Sequence, residues 1–312
     1  MRIAPVLDEN LELTSLPDGR KHWKDTDWLS IDWSQQDAWE KATRILHDRI
    51  YGRFLRVVPC IKKLEGAGFA IMALDCLLIE TLHQFQNGWL ETQQGRSIEA
   101  FRKSLQCTPE FRGAFNLHRA ELFYSHIRNG ILHQAEIKPP STIVRKDNLV
   151  EDVDSGAGVQ VNRDLFHQAL VAAFDRYLRE LRSEENLPPN RLKKLRHYCR
   201  VKMDFICRQP ITYFAYGGKL TQVQLGNLGA SPLGSATLRD WELGWEMGKD
   251  GKKRVTLRQS AGRSTLGALY HILAASFRKL EDYEKRYLRR TLPVVVDATG
   301  EDVWAQVYVS RK

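Results

Sequence analysis

The sequence is poor in the features that would assign it quickly. It has five cysteines in 312 residues, Cys60, Cys76, Cys107, Cys199 and Cys207, an odd and scattered set with no CxxC pair. Neither a disulfide framework nor a thiolate zinc site follows from that spacing, and nothing in it calls for a metal or another cofactor. No uninterrupted apolar run approaches the roughly 20 residues that span a bilayer, so no membrane segment is expected. The opening MRIAPVLDENLEL has neither the basic start nor the apolar stretch of a secretory signal, and a cytoplasmic location is the expectation. There is no internal repeat and no low-complexity tract.

What is present is a composition of ordinary globular type, 43% hydrophobic and 27% charged, over a length sufficient for two domains. The formal net charge is +9. Arg191, Lys193, Lys194, Arg196, Arg200, Lys202 and Arg208 crowd one segment against the single acid Asp204. Such a helix reads either as the electrostatic footprint of an RNA site or as a solvated linker.

Residues 1–35 contain Asp, Pro and Trp without a sustained period and read as an arm packed by its tryptophans. From Ser34 the stretches WSQQDAWEKATRILHDRIYGRFLRVVPCI, GFAIMALDCLLIETLHQFQNGW, SIEAFRKSL and FNLHRAELFYSHIRNGILHQAE repeat apolar residues at helical spacing, until Pro139-Pro140 stops the last. IVRKDNLVEDVDSGAGVQVNR reads as a short strand pair or loop, and DLFHQALVAAFDRYLRELR as another helix. Past Gln209-Pro210 the texture changes to short apolar strands interrupted by one helix, SFRKLEDYEKRYL. The expected fold class is therefore multidomain: an all-helical domain over 36–208, including a basic helix over 190–208, and a small mixed, mostly strand domain over 211–312.

Two constellations carry chemistry. In FYSHIRNGILHQAE, Asn129 and His133 share a helical face, whereas Arg128 and His133 are five residues apart and lie about 140° from each other. The arginine must reach around, and Gly130 removes bulk where another backbone or a phosphate would come close. An imidazole moves protons near neutrality and a guanidinium holds a permanent charge that matches phosphate oxygens. These are the parts of a metal-free RNA cleavage site. In TYFAYGGKL a strand, Tyr213 to Tyr216, runs into Gly217-Gly218, which can turn tightly and offer amide N–H groups to an anion. In SFRKLEDYEKRYL, Leu280, Glu284 and Leu288 recur every four residues, which places Glu284 in an apolar stripe, partly desolvated and poised to move protons.

The hexapeptide RNGILH, Arg128 to His133, resembles the R-N-x-x-x-H signature of the HEPN family, helical bundles that often pair so that two copies of the motif form one cleft. The resemblance extends over about residues 35–180. It implies catalytic roles for Arg128 and His133, an accessory role for Asn129, an orienting role for Glu80 in ALDCLLIETL, an RNA substrate and a homodimer. For Asp75 in the same helix a structural role, on the helix surface or in a buried salt bridge, is the expectation.

The C-terminal segment resembles the gamma-glutamylcyclotransferase-like (AIG2-like) family in order over Thr212 to Val309. YFAYGGKL stands at its substrate loop, LGSATLRDWEL at its second strand, TLGALYHI at its central strand, KLEDYEKRYLRRTLPVVV at its L-x-x-x-E helix and following Y-x-R, and AQVYV at its closing strand. The resemblance implies a small barrel, a catalytic Glu284, and substrate contacts from Tyr216, Gly217, Gly218, Lys219, Leu220 and Tyr287, with Gly218 and Lys219 in place of the family's small polar residues. The implied reaction releases 5-oxoproline from a γ-glutamyl compound. The joint expectation is a ribonuclease of toxin or defence type, with a γ-glutamyl small molecule or modified group and an antitoxin or regulatory protein as further partners. The alternatives are a metabolic cyclotransferase whose helical domain only dimerises or binds a partner, and a non-catalytic interaction protein.

Overall fold

The computed structural model describes residues 11–14, 22–146, 148–218, 220–247, 251 and 253–311. They form two compact units. One holds Asn87–Leu90 with the described chain from His197 onward; the other holds the described chain up to Gln86 and Glu91–Arg196.

The second of these units is built on amphipathic helices, among them Ala38–Ile50, Gly68–Asn87, Ser97–Cys107 and Arg163–Arg182. Their apolar stripes meet in an aromatic core where Phe123 stacks on Phe166 at 4.9 Å and Phe111 lies 5.0 Å from the same ring. The Arg163–Arg182 helix starts where the Asn162 side chain accepts from the backbone N–H groups of Asp164 and Leu165, replacing two acceptors that a helix end lacks. In the described part of the arm, Trp23 and Trp28 are buried and Trp23 Nε1 donates to Asp48 at 2.8 Å.

The unit is not all-helical. Three short strands, β1 (Thr142–Val144), β2 (Val150–Val153) and β3 (Gly158–Asn162), form a sheet of order β1-β3-β2, with β1 parallel to β3 and β2 antiparallel to it. A parallel partner comes from outside the local hairpin, so a strand pair was all that local pattern could offer. The Gly68–Asn87 helix also amends a sequence expectation, since by length and hydropathy it is apolar enough to cross a bilayer. Here Ile71, Met72, Leu78 and Phe85 are buried in the core, and its polar members Asp75 and Glu80 have protein partners.

The C-terminal unit is a closed barrel of β4 (Ile211–Ala215), β5 (Ser231–Met247), β6 (Lys253–Ile272), β7 (Leu288–Val296) and β8 (Asp302–Val309), ordered β4-β6-β5-β7-β8. Neighbours are antiparallel except at the seam, where β4 meets β8 in parallel at Tyr213 and Gln306. Closure removes free sheet edges. Alternation sends Phe214, Leu238, Leu257, Val294 and Val307 into one core, while Tyr213, Ile272 and Tyr308 join Phe277 and Leu280 of the helix Phe277–Tyr283 in another.

Gly267 marks a tight crossing in the barrel: a Cβ there would lie 2.4 Å from the Ala215 carbonyl oxygen and 2.5 Å from the Phe214 ring. Backbone cannot yield as a flexible side chain can. Gly267→Ala is expected to destabilise the barrel by about 1–3 kcal/mol through overpacking, read by urea unfolding; a variant as stable as the parent would refute this account of the crossing.

Candidate functional site

The barrel places one buried carboxylate beside a cavity. Glu284 is 1% exposed and lies on the wall of a pocket of about 390 Å³ that is also lined by Gly217, Gly218, Trp245, Lys253, Arg254 and Arg286. The sequence puts Glu284 within a helix, but the helix ends at Tyr283; Glu284 is its C-cap, at φ −100°, and Leu288 is already the first residue of β7. The stripe through Leu280, Glu284 and Leu288 therefore does not exist as a helical face. The ladder of β7 against β8, beginning at Leu288 opposite Val309, outweighs a helical propensity that is worth only tenths of a kcal/mol per residue.

Tyr213 instead holds the buried Glu284, its hydroxyl donating to Oε1 at 2.7 Å. Burial, and then the Glu284 carboxylate, push the Tyr213 phenol well above its ordinary range, so it remains a donor. The same two causes, in the same order, raise Tyr216 and Tyr287. A donated hydrogen bond lowers the cost of holding a carboxylate away from water.

The Gly217-Gly218 turn forms one wall. Both residues have positive φ, +61° and +68°, and a Cβ on Gly217 would stand 2.6 Å from Val255 Cγ1, so glycine is needed there for backbone and space alike. Tyr216 is buried with its hydroxyl donating to the Tyr308 carbonyl, and Tyr287 donates to the Val255 carbonyl at 2.9 Å while also lining the pocket. Leu220 is partly buried against the cluster of Tyr213 and Phe277, a packing position for its side chain. Lys219 lies outside the described residues. Sequence reading missed Tyr213 as a partner, although a buried tyrosine needs an acceptor, and missed the cations Lys253, Arg254 and Arg286. Arg286, two residues past Glu284, was the one with a local signal; Lys253 and Arg254 arrive only through the β5–β6 hairpin.

The helical unit gathers the other expected set. Arg128 Nη2 lies 3.3 Å from Glu80 Oε2, its Nη1 donates to Asn129 Oδ1 at 3.0 Å, and the same Nη1 stands 3.4 Å from His133 Nε2. Ser97 Oγ holds Glu80 Oε2 at 2.8 Å, and Arg128 lies 5.4 Å from the centre of the Tyr124 ring. The turn before Asn129, Phe123–Arg128, is wound as a π-helix, a feature common at functional sites and invisible to a uniform 3.6-residue period.

Gly130 has a different role from the one expected. A Cβ on it would lie 2.3 Å from the Glu136 carbonyl oxygen, so the backbone that approaches is the chain's own. Asp75 is buried and paired with His167 Nδ1 at 2.8 Å, away from Arg128's partners. Of the basic segment, Lys202 is buried and donates to the Leu90 carbonyl, and Arg196 donates to the Leu181 carbonyl at 2.8 Å. Those two cations are structural, whereas Arg191, Lys193 and Lys194 are exposed.

A small closed barrel with a glycine turn and a buried, tyrosine-bonded glutamate on a basic pocket defines the C-terminal unit. Residues 213–312 match the family model described as Gamma-glutamyl cyclotransferase, AIG2-like, and this unit is a domain of that type. Similar solved structures include a gamma-glutamyl cyclotransferase, 18% identical with a TM-score of 0.31 over 33% of this chain and 68% of its own. An uncharacterized Homo sapiens protein is 22% identical, TM-score 0.30, over 33% and 68%. An AIG2-like Mus musculus protein is 20% identical, TM-score 0.28, over 33% and 78%. No curated protein matches the chain. The family match does not reach the helical unit.

Proposed function

We propose that the barrel is a cyclotransferase acting on γ-glutamyl compounds. The observation that carries this reading is Glu284, nearly sealed from solvent, hydrogen-bonded by Tyr213 and bordering the pocket. In the reaction the α-amine of the γ-glutamyl group attacks its own γ-carbonyl carbon, closing the five-membered ring as the bond to the leaving amine breaks. Glu284 takes the proton released by the attacking amine and returns it to the departing one. Amides of the Gly217-Gly218 turn, with Lys253, Arg254 and Arg286 lining the same pocket, bind the glutamyl α-carboxylate. The test is 5-oxoproline release from a panel of γ-glutamyl amines and dipeptides; an inert protein across the panel would reduce the barrel to a binding fold.

A second reading concerns the helical unit and rests on the ladder from Glu80 through Arg128 to His133. In it the unit is a HEPN-type, metal-independent ribonuclease, with His133 as proton shuttle, Arg128 as the charge that stabilises the phosphorane-like transition state and Glu80 as the group that aims Arg128. Self-association through this face would bring two motifs to one cleft. The chain then reads as a toxin or defence effector, restrained by its second domain or by an antitoxin-like partner. Purified protein in EDTA should cleave single-stranded RNA and sediment as a dimer; cleavage by a protein that stays monomeric at micromolar concentration would contradict the paired cleft.

A further inference from the structure

The hairpin of β5 and β6 outruns the barrel wall. Among the described residues, β7 pairs with β5 at Ala236 and Thr237 alone. A bulge then breaks the ladder between Arg239 and Trp241, with Asp240 at φ +62°, and such a bulge bends a strand away from its neighbour. From Trp241 to Met247 the pairing strand of β5 is β6. Closure protects the wall of the barrel and leaves this arm with an edge.

The two edges of the arm differ. On β6 the Val255 carbonyl accepts from the Tyr287 hydroxyl at 2.9 Å, and the Leu257 carbonyl accepts from the Ser310 N–H at 3.2 Å. Those carbonyls point away from β5, so Trp245–Val255 and Leu243–Leu257 are pairs of the non-hydrogen-bonded kind. The backbone groups of Leu243, Trp245 and Met247 consequently face outward along the edge of β5. Arg258 agrees with this direction: its Nε lies 3.3 Å from where a Gly244 Cβ would stand, and its Nη2 donates to the Trp245 carbonyl at 3.3 Å. The side chains of the edge are apolar and open, with Leu243 48%, Trp245 55% and Met247 68% exposed. An apolar strand that presents an unpaired row of donors and acceptors is a template for another strand.

We infer that β5 pairs with the β5 of a second copy of this chain, antiparallel about a two-fold axis at Trp245. The edge is complementary to itself in that register. Trp245 meets Trp245 of the second copy and Leu243 meets Met247, each an outward-facing pair able to exchange two backbone hydrogen bonds. On the opposite face Glu246 falls against Gly244. An axis at Gly244 would instead set Glu242 against Glu246, and like charges directly opposite are destabilising. Charge therefore selects the register, and apolar side chains supply the contact. The Trp245 carbonyl exchanges the Arg258 guanidinium for an N–H of the second copy. Trp245 also lines the pocket beside Glu284, so pairing fixes one wall of each pocket. This interface is separate from the Arg128–His133 face and needs neither proposed activity.

The test is sedimentation of the full chain over a range of micromolar concentrations. The parent should associate. Leu243→Lys, which keeps the strand N–H, and Leu243→Pro, which deletes it, should each weaken association at least about tenfold with an unchanged melting temperature. Where the helical units also pair, the parent is larger than a dimer and both variants should fall to the dimer. Cysteine pairing reads the register. In a chain carrying Cys60→Ser and Cys107→Ser at its exposed cysteines, mild oxidation should cross-link Trp245→Cys to its own copy. The Cα atoms of a hydrogen-bonded antiparallel pair lie about 5.5 Å apart, within disulfide reach. Glu246→Cys, opposite Gly244, should not cross-link to itself. A parent that stays monomeric at high micromolar concentration would overturn the proposal, as would association that both Leu243 variants leave unaltered. Cross-linking of Glu246→Cys as readily as Trp245→Cys would overturn the register and the two-fold pairing with it.

Discussion

Glu284→Gln is expected to reduce release of 5-oxoproline from γ-glutamyl substrates by about 10²–10⁴-fold, the usual worth of a positioned acid/base, with a melting temperature equal to or above that of the parent. Glutamine keeps the volume, and its amide oxygen still accepts from Tyr213, which donates to Glu284 Oε1 at 2.7 Å. It cannot accept a proton from the attacking amine. The fold should tolerate the exchange because Glu284 is 1% exposed, and a neutral amide is less expensive than a carboxylate at a site so far from water. The backbone N–H of Glu284, which donates to the Leu280 carbonyl at 3.0 Å and closes the helix end, is untouched. Turnover and thermal melts measured on the same preparations separate the outcomes. Loss of turnover at constant melting temperature supports proton transfer; a drop of many degrees would make Glu284 a structural partner of Tyr213; unchanged turnover would remove Glu284 from the reaction.

The second large effect is expected at His133. His133→Ala should lower cleavage of single-stranded RNA in EDTA by about 10²–10⁴-fold, and Arg128→Ala by about 10²–10³-fold, as for loss of a group that stabilises developing charge. The two residues meet at 3.4 Å, so their effects should not add: the double variant should be little worse than the poorer single one. Arg128 is also tied to Glu80 at 3.3 Å and packed over Tyr124, so its replacement costs some packing, which circular dichroism and melting should report. His133 lies near the end of a short helix, Asn129–Gln134, and is not among the buried residues, so its truncation should leave stability within about 0.5 kcal/mol, as for an exposed site. Equal cleavage by His133→Ala and parent protein would end the ribonuclease reading.

Fold and site were legible to different depths. Helices of the helical unit and strands of the barrel unit follow from apolar spacing, since periods of 3.6 and 2 are local properties of a segment. The glycine turn was legible for the same reason: Gly217 and Gly218 adopt positive φ, a conformation that few other residues take cheaply. Arg128 and His133 were recognisable by residue type, but a uniform helix sets them about 140° apart. Their contact depends on the reach of the arginine side chain, and on Glu80, 48 residues earlier, being carried to it on another helix.

The sequence by itself determined the change from helical to strand texture near residue 210, the match of residues 213–312 to an AIG2-like barrel, and the residue types able to move protons or hold anions. These are written in spacing and side-chain chemistry, which neighbours along the chain supply. Tertiary structure alone decided where the helix before β7 stops, because the β7–β8 ladder claims Leu288 onward. It decided that Glu284 accepts a hydrogen bond from Tyr213, 71 residues away, and that Gly130 makes room for the chain's own Glu136 carbonyl. Each depends on contacts between segments distant in sequence, and the free energy of such a contact comes from desolvation and partner geometry that no local pattern contains.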